Sequence, residues 1–245
     1  MLRQMDRGVM RLTINCPAKA NTLSAALRDI FVAALTDAEH DDAVHAVLLD
    51  AAPGANFSGG VDLRNPKRLP PEQLAAFRAG IIFDMTLAQL HLTKPFLVSV
   101  DGRAIGGGCI ASLLADRIVA SPRASFAMPE VKLGMASFLA ADLARHRLGD
   151  ALARQMVLFG ETKTAAELAA VGALSIAPGE ATLDAFTEQH LAQLTELPLR
   201  TFRDLKDWTL APLRQTLLRG MERTRARNAL ASSHLDSAIA IKPRD

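Results

Sequence analysis

The sequence predicts an α/β fold closed by a helical C-terminal subdomain, and three observations carry that reading. Short β-rich runs alternate with glycine-rich turns and helices through the first half, whereas beyond about Phe138 nearly every segment reads as helical. The length, 245 residues, lies within what one α/β domain fills without a second core. Nearly half of the residues are apolar and 22% are charged, which supports a large buried interior and argues against disorder. Breaks at Pro178–Gly179 and Leu197–Pro198 put the main core at residues 1–195 and the helical subdomain at 196–245. No repeat of fixed period and no low-complexity linker interrupts the chain.

The elements follow in order. GVMRLTIN, residues 8–15, alternates apolar and polar positions as a half-exposed strand does. Ser24 is a candidate N-cap for a helix reaching about residue 39, with Leu27, Ile30, Phe31 and Leu35 on its apolar face. AVHAVLLDA, residues 43–51, is a buried strand ended by the loop PGANFSGG. A long helix after Pro70 and Pro71 would bury Leu74, Phe77, Ile81, Met85 and Leu92. KPFLVSVDG is the next strand, RAIGGGCIASLLAD a glycine turn and helix, and DRIVAS and ASFAMPE two short strands.

Lys plus Arg total 28 against 26 Asp plus Glu, without the one-sided basic excess of a nucleic-acid binder. Two cysteines, Cys16 and Cys109, make a disulfide scaffold a poor reading and a reducing compartment the plain one. The N-terminus lacks a signal-peptide pattern, and no apolar run reaches the roughly 18 residues of a membrane span. The expected location is the cytoplasm. His91, His146 and His190 form no ligand pattern with Cys, Asp or Glu, so no metal site is expected.

Two segments share one design, VLLDAAPGANFSGGVDL and FLVSVDGRAIGGGCIASLL: a buried strand, a glycine-rich turn, then a helix. Glycines let backbone approach a ligand closely, and a helix starting there aims free N–H groups and its positive dipole end into the same space. Two such turns can converge N–H groups on one oxygen, the geometry of an oxyanion hole. Each taken alone is more often an ordinary turn. No GK[ST] follows the second, so a phosphate loop is not indicated.

The order of PAKANTLS, NFSGGVDL, KPFLVSVDGRAIGGGC, ADRIVAS, FAMPEVKLG and AAELAAVGAL, over about residues 10–175, resembles the enoyl-CoA hydratase/isomerase (crotonase) superfamily. The resemblance implies a spiral of repeated ββα units, a C-terminal helical trimerisation subdomain, and trimers that stack into hexamers. It implies an acyl thioester substrate on coenzyme A or the phosphopantetheine of an acyl carrier protein, and no other cofactor. It assigns the oxyanion-hole N–H groups to Val61 and Gly107, with Gly60 and Gly106 beside them, and the adenine-binding stretch to Lys19 and Ala20.

Hydratases of this superfamily are similar in carrying two glutamates that handle water. Here Ile110 stands at the first position, and the second is Glu130 of MPEVKLG. One carboxylate suits a proton shuttle between the α- and γ-carbons of an enoyl thioester better than hydration. Burial beside Ile110, Phe126 and Met128 would raise the Glu130 pKa. A surface cap or ion bridge is its bland alternative. After KLG the chain reads MASFLAADLARHRLG where many relatives have a proline- and glycine-rich turn, which implies a changed pocket wall.

LKD followed by LAPLR resembles the tail of crotonase-like decarboxylases of polyketide β-branching, and the resemblance puts His234 at a proton donor's place. Those enzymes are expected to use a lysine, often with a tyrosine, in the helix after the first glycine turn. This chain has no tyrosine and no lysine between Lys67 and Lys94. The expected reaction is therefore isomerisation or decarboxylation of an enoyl or glutaconyl thioester. Ordinary hydration, a hydrolase built on Ser58 or Ser112, and a non-catalytic member of the fold are the alternatives. Cys109 is expected to pack, Asp62 and Asp116 to accept hydrogen bonds in turns and caps, and the arginine-rich RGMERTRARNA to be a solvated face or a phosphate contact. Trp208, Leu205, Leu210 and Leu213 are expected to pack the tail on a neighbouring subunit.

Overall fold

The computed structural model describes residues 1–53, 56–64, 69–179 and 182–240, with backbone alone at 71–72 and 228–240. Two sheets run side by side. The larger has the order β1 (Leu2–Asp6), β2 (Val9–Ile14), β3 (Ala46–Ala51), β4 (Phe96–Val100), β6 (Arg117–Ala120) and β9 (Ser175–Ile176), parallel throughout except between β1 and β2. The smaller joins β5 (Arg103–Ile105), β7 (Ser125–Ala127) and β8 (Thr162–Thr164). Each turn of the spiral spends one strand in each sheet and then a helix: β4, β5 and α3 (Gly107–Leu113), then β6, β7, a 3-10 turn (Pro129–Leu133) and α4 (Phe138–Leu148). The turn before them has the same plan, with a single bridge of Ser58 to Ala104 between β3 and α2 (Pro71–His91) standing in for the second strand. This is an α/β spiral of ββα units.

Its strands β3 and β4 are largely apolar and buried, interrupted only by Asp50 near the end of β3 and Ser99 in β4, because helices or the second sheet cover both faces. α1 (Ala25–His40) starts where Ser24 Oγ accepts from the Leu27 N–H at 3.2 Å, and it buries Leu27, Phe31, Ala34, Leu35 and Ala38. Ile30, expected on that face, is exposed because it lies at the flank of the stripe. On α2, Ile81 and Met85 are buried, while Leu74 and Phe77 are only partly so. The region past Phe138 holds α4, α5 (Asp150–Leu158), α6 (Ala165–Ala170), α7 (Leu183–Thr195) and α8 (Leu199–Ala240), but also β8 and β9. Those strands, of three residues and two, are too short to display a period.

α8 packs back on its own chain. Leu213, Leu217 and Met221 enter the main core, and Gly220 lets the helix approach α4 so closely that a Cβ there would lie 3.2 Å from the Leu139 nitrogen. Leu213 therefore does not serve a neighbouring subunit, and Leu210 packs against the same core, whereas Leu205 and Trp208 stay exposed. Lys206 anchors the helix, reaching Asp116 Oδ2 at 2.6 Å and the Lys94 carbonyl at 2.9 Å. Arg214 donates to Asp207 and the Leu90 carbonyl. The LKD and LAPLR segment thus holds the tail to the core.

Candidate active site

The first glycine turn is strung between two bridges. Ser58 N–H donates to the Arg103 carbonyl and Ile105 N–H to the Ser58 carbonyl, at 3.0 and 2.9 Å. Further on, Leu23 N–H donates to the Gly60 carbonyl and Asp62 N–H to the Leu23 carbonyl, so the parallel bridge pairs Leu23 with Val61. In that pattern Val61 turns its own N–H away from Leu23. The second turn begins as Gly106, at φ +52°, donates its N–H to the Ala127 carbonyl at 2.8 Å. Gly107 then opens α3, where a first-turn N–H has no helical acceptor.

Only glycine allows these turns to meet. A Cβ on Gly60, which sits at φ +83°, would lie 2.8 Å from the Ile105 carbonyl oxygen and 3.6 Å from the Gly107 nitrogen. One on Gly107 would lie 2.3 Å from Ile82 Cδ1. Val61 and Gly107 line one cavity of about 390 Å³, together with Gly60, Gly106, Ile110 and Glu130. Among the described residues neither the Val61 nor the Gly107 N–H has an acceptor. Two unused donors over one space are what a developing oxyanion requires.

Glu130 follows β7 in the 3-10 turn, and its Oε1 lies 3.0 Å from where a Cβ of Gly106 would be. Its Oε2 is shut off from solvent without a partner. Burial pushes this carboxyl above its usual range, opposed only by a bond to its own backbone. It is not a surface bridge. Ile110, buried, closes the cavity where a second carboxylate would otherwise project. Gly134, Met135, Ala136 and Ser137 form the wall beyond, which is the stretch that departs from the family's glycine-rich turn.

Lys19 and Ala20 stand against the outside of the first turn. The Ala20 carbonyl accepts from the Gly59 N–H at 2.8 Å, and neither residue lines the cavity. Asn21, unremarked in the sequence, is fully buried and braces this junction, accepting from the Cys16 N–H at 2.8 Å and donating to the Asn56 carbonyl at 2.7 Å. Its own carbonyl accepts from Ser58 Oγ at 2.9 Å, and Ser112 Oγ donates to the Gly108 carbonyl at 2.8 Å. Both serines are fully buried, so neither hydroxyl is placed as a nucleophile. Cys109 is buried too, and burial foremost, then Glu130, pushes its thiol up, leaving an inert packing group. Asp62 accepts from the Arg64 backbone and guanidinium, chiefly the latter, which hold its carboxyl at about 2.

His234 lies on α8 where side chains are outside the described residues. His190 donates from Nδ1 to the Phe186 carbonyl at 2.9 Å and its ring lies tilted against that of Phe186, and His91 is exposed. Among the described residues no three His, Cys, Asp or Glu side chains gather as a metal site, and no helix is long and apolar enough to cross a membrane. The sequence reading missed Arg78 on α2, which lines the cavity together with Thr224 and Arg227 of the arginine-rich RGMERTRARNA stretch on α8, a stretch expected as a solvated face or a phosphate contact. Arg78 left one signal: it shares a helical face with Ala75, Ala79 and Ile82.

A spiral of ββα units whose glycine turns meet over an enclosed carboxylate is the crotonase fold. The chain superposes on a probable enoyl-CoA hydratase from Mycobacterium thermoresistibile with a TM-score of 0.82, at 25% identity, over 96% of this chain and 98% of that one. A probable enoyl-CoA hydratase of Rhizobium meliloti is 32% identical over 67% of this chain and 63% of its own length, so this match spans somewhat under two thirds of that relative. Enoyl-CoA delta isomerase 2 of Rattus norvegicus is 29% identical over 82% of this chain and 52% of its own length. Residues 4–237 match the enoyl-CoA hydratase/isomerase family, and the chain belongs to that family.

Proposed function

We propose that the protein isomerises an enoyl thioester through a thioester-stabilised enolate. Val61 and Gly107 donate their N–H groups to the thioester oxygen, and Glu130 moves the proton. As carboxylate, Glu130 takes a proton from the α-carbon of a 3-enoyl thioester, and the electron pair spreads into a dienolate. The resulting acid returns that proton to the γ-carbon, giving the 2-enoyl thioester. The coenzyme A or phosphopantetheine arm arrives with the substrate.

The observation that carries this reading is one partnerless, burial-raised carboxyl beside the second glycine turn, with buried Ile110 where a second acid would be needed for hydration. Decarboxylation of a glutaconyl thioester would reach the same dienolate and needs no further acid to form it. Hydration is the second reading, favoured by the name of the Rhizobium meliloti relative. The test incubates 3-enoyl-CoA, 2-enoyl-CoA, and 3-methylglutaconyl on coenzyme A and on a carrier protein with the protein and with Glu130→Gln, followed by mass spectrometry. Conversion of 3-enoyl- to 2-enoyl-CoA that vanishes in the variant is the expected result. Fast hydration of 2-enoyl-CoA would sink the reading of Ile110. Carbon dioxide released from the glutaconyl substrate alone would replace isomerisation by decarboxylation.

A further inference from the structure

The same cavity holds two cations for which the proton shuttle has no use. Arg78 enters it from α2 and Arg227 from α8, three residues beyond Thr224. One Arg78 nitrogen donates to the Leu63 carbonyl, while its Nε is shielded from water and has no acceptor. Among the described residues no carboxylate pairs with either arginine, and Glu130 is the one acid lining the space.

Arg78 is half-buried with a shielded Nε and no counter-charge among the described residues, a cost that an anionic ligand would offset. Arg227 is exposed and free to turn toward the same anion, and the planar fork of a guanidinium fits a carboxylate with two parallel bonds. We propose that the acyl group bound here ends in a carboxylate, held by Arg78 with Arg227. The assignment rests on the cavity being the acyl-thioester site. The phosphates of the coenzyme A arm are the other source of anionic charge. The arginines, however, share the cavity with Ile110 and Glu130, whereas Lys19 and Ala20, expected beside the adenine, lie outside it against Gly59.

Calorimetric titration of the full chain with unreactive saturated thioesters tests this: pentanoyl- against glutaryl-CoA, hexanoyl- against adipyl-CoA, and free coenzyme A. At one length or both, the carboxylated thioester is expected to bind about tenfold tighter or more, the range of hydrogen bonds to a charged group. Arg78→Gln is expected to abolish that preference while the methyl-ended thioesters and free coenzyme A stay within about twofold. Arg227→Gln provides the same readout should Arg78→Gln not fold. Equal binding of each pair, or equal weakening of every ligand in the variants, overturns the proposal; the latter assigns the arginines to phosphates. Binding of none of the five would instead bring down the acyl-thioester reading beneath it.

Discussion

Asp116, at the entry to β6, and Glu130, just past β7, are both carboxylates closed in by packing, yet the two regions treat them differently. Asp116 Oδ2 accepts from the Phe96 N–H at 2.8 Å and from Lys206 Nζ at 2.6 Å. Lys206 is buried with it, and burial lowers the ammonium pKa against the pull of Asp116. The pair ties the tail helix to the sheet. Glu130 has no such partner: Oε2 is buried and unsatisfied, and desolvation raises its pKa. A satisfied buried charge holds elements in place, and an unsatisfied one facing a cavity is poised to exchange a proton.

The contrast breaks most sharply at Glu130. Glu130→Gln is expected to slow exchange of the α-protons of a saturated acyl-CoA for deuterium by about 10²–10⁴-fold, the usual contribution of a positioned acid or base, with thermal stability retained. Exchange within a few-fold of the wild type would remove Glu130 from the mechanism. Lys206→Met should do the opposite. It leaves Asp116, largely buried, with the Phe96 N–H but without its lysine, a loss of about 3 kcal/mol or less in urea unfolding, while exchange per folded molecule is unchanged. Adding Asp116→Leu should recover much of that loss; no recovery would mean that the pair is not the cause.

A smaller effect follows from pH. The folded-state pKa of Glu130 lies above its unfolded value, so the folded protein binds the proton more tightly. Its favourable contribution is full below the ordinary glutamate value of 4.5 and is lost as pH rises through the raised one. Glu130→Gln should therefore gain stability relative to wild type across that window and show no such trend below it. A difference in unfolding free energy independent of pH would contradict the burial. The smallest expected effect is at Cys109: iodoacetamide should leave this buried thiol unlabelled in the native protein, and Cys109→Ala should keep full exchange activity. Rapid labelling would show that the α3 start opens.

The two glycine turns, the Ser24 cap and strands β2, β3, β4, β6 and β7 were legible because each is a local pattern: alternation, an apolar run, or a residue type demanded by one backbone geometry. Strands β1, β5, β8 and β9 were not, since short or wholly exposed runs carry no period and depend on neighbours for their hydrogen bonds. Glu130 was found through a motif, but its missing partner could not be. The same holds for Asn21, whose side chain looks like any turn asparagine until both of its partners are in place.

The sequence by itself determined the class of fold and the two turns, because those depend on the identity of residues close in the chain, and its resemblance to the family pointed to Glu130 as the candidate acid and to Ile110 in place of a second carboxylate. Only the tertiary structure decided that Gly60 and Gly107 abut, that Leu213 belongs to its own core, and that Arg78 and Arg227 face one cavity. α2 and α8 are brought together by packing that buries their apolar stripes, and a stripe specifies which face turns inward without specifying what it will meet.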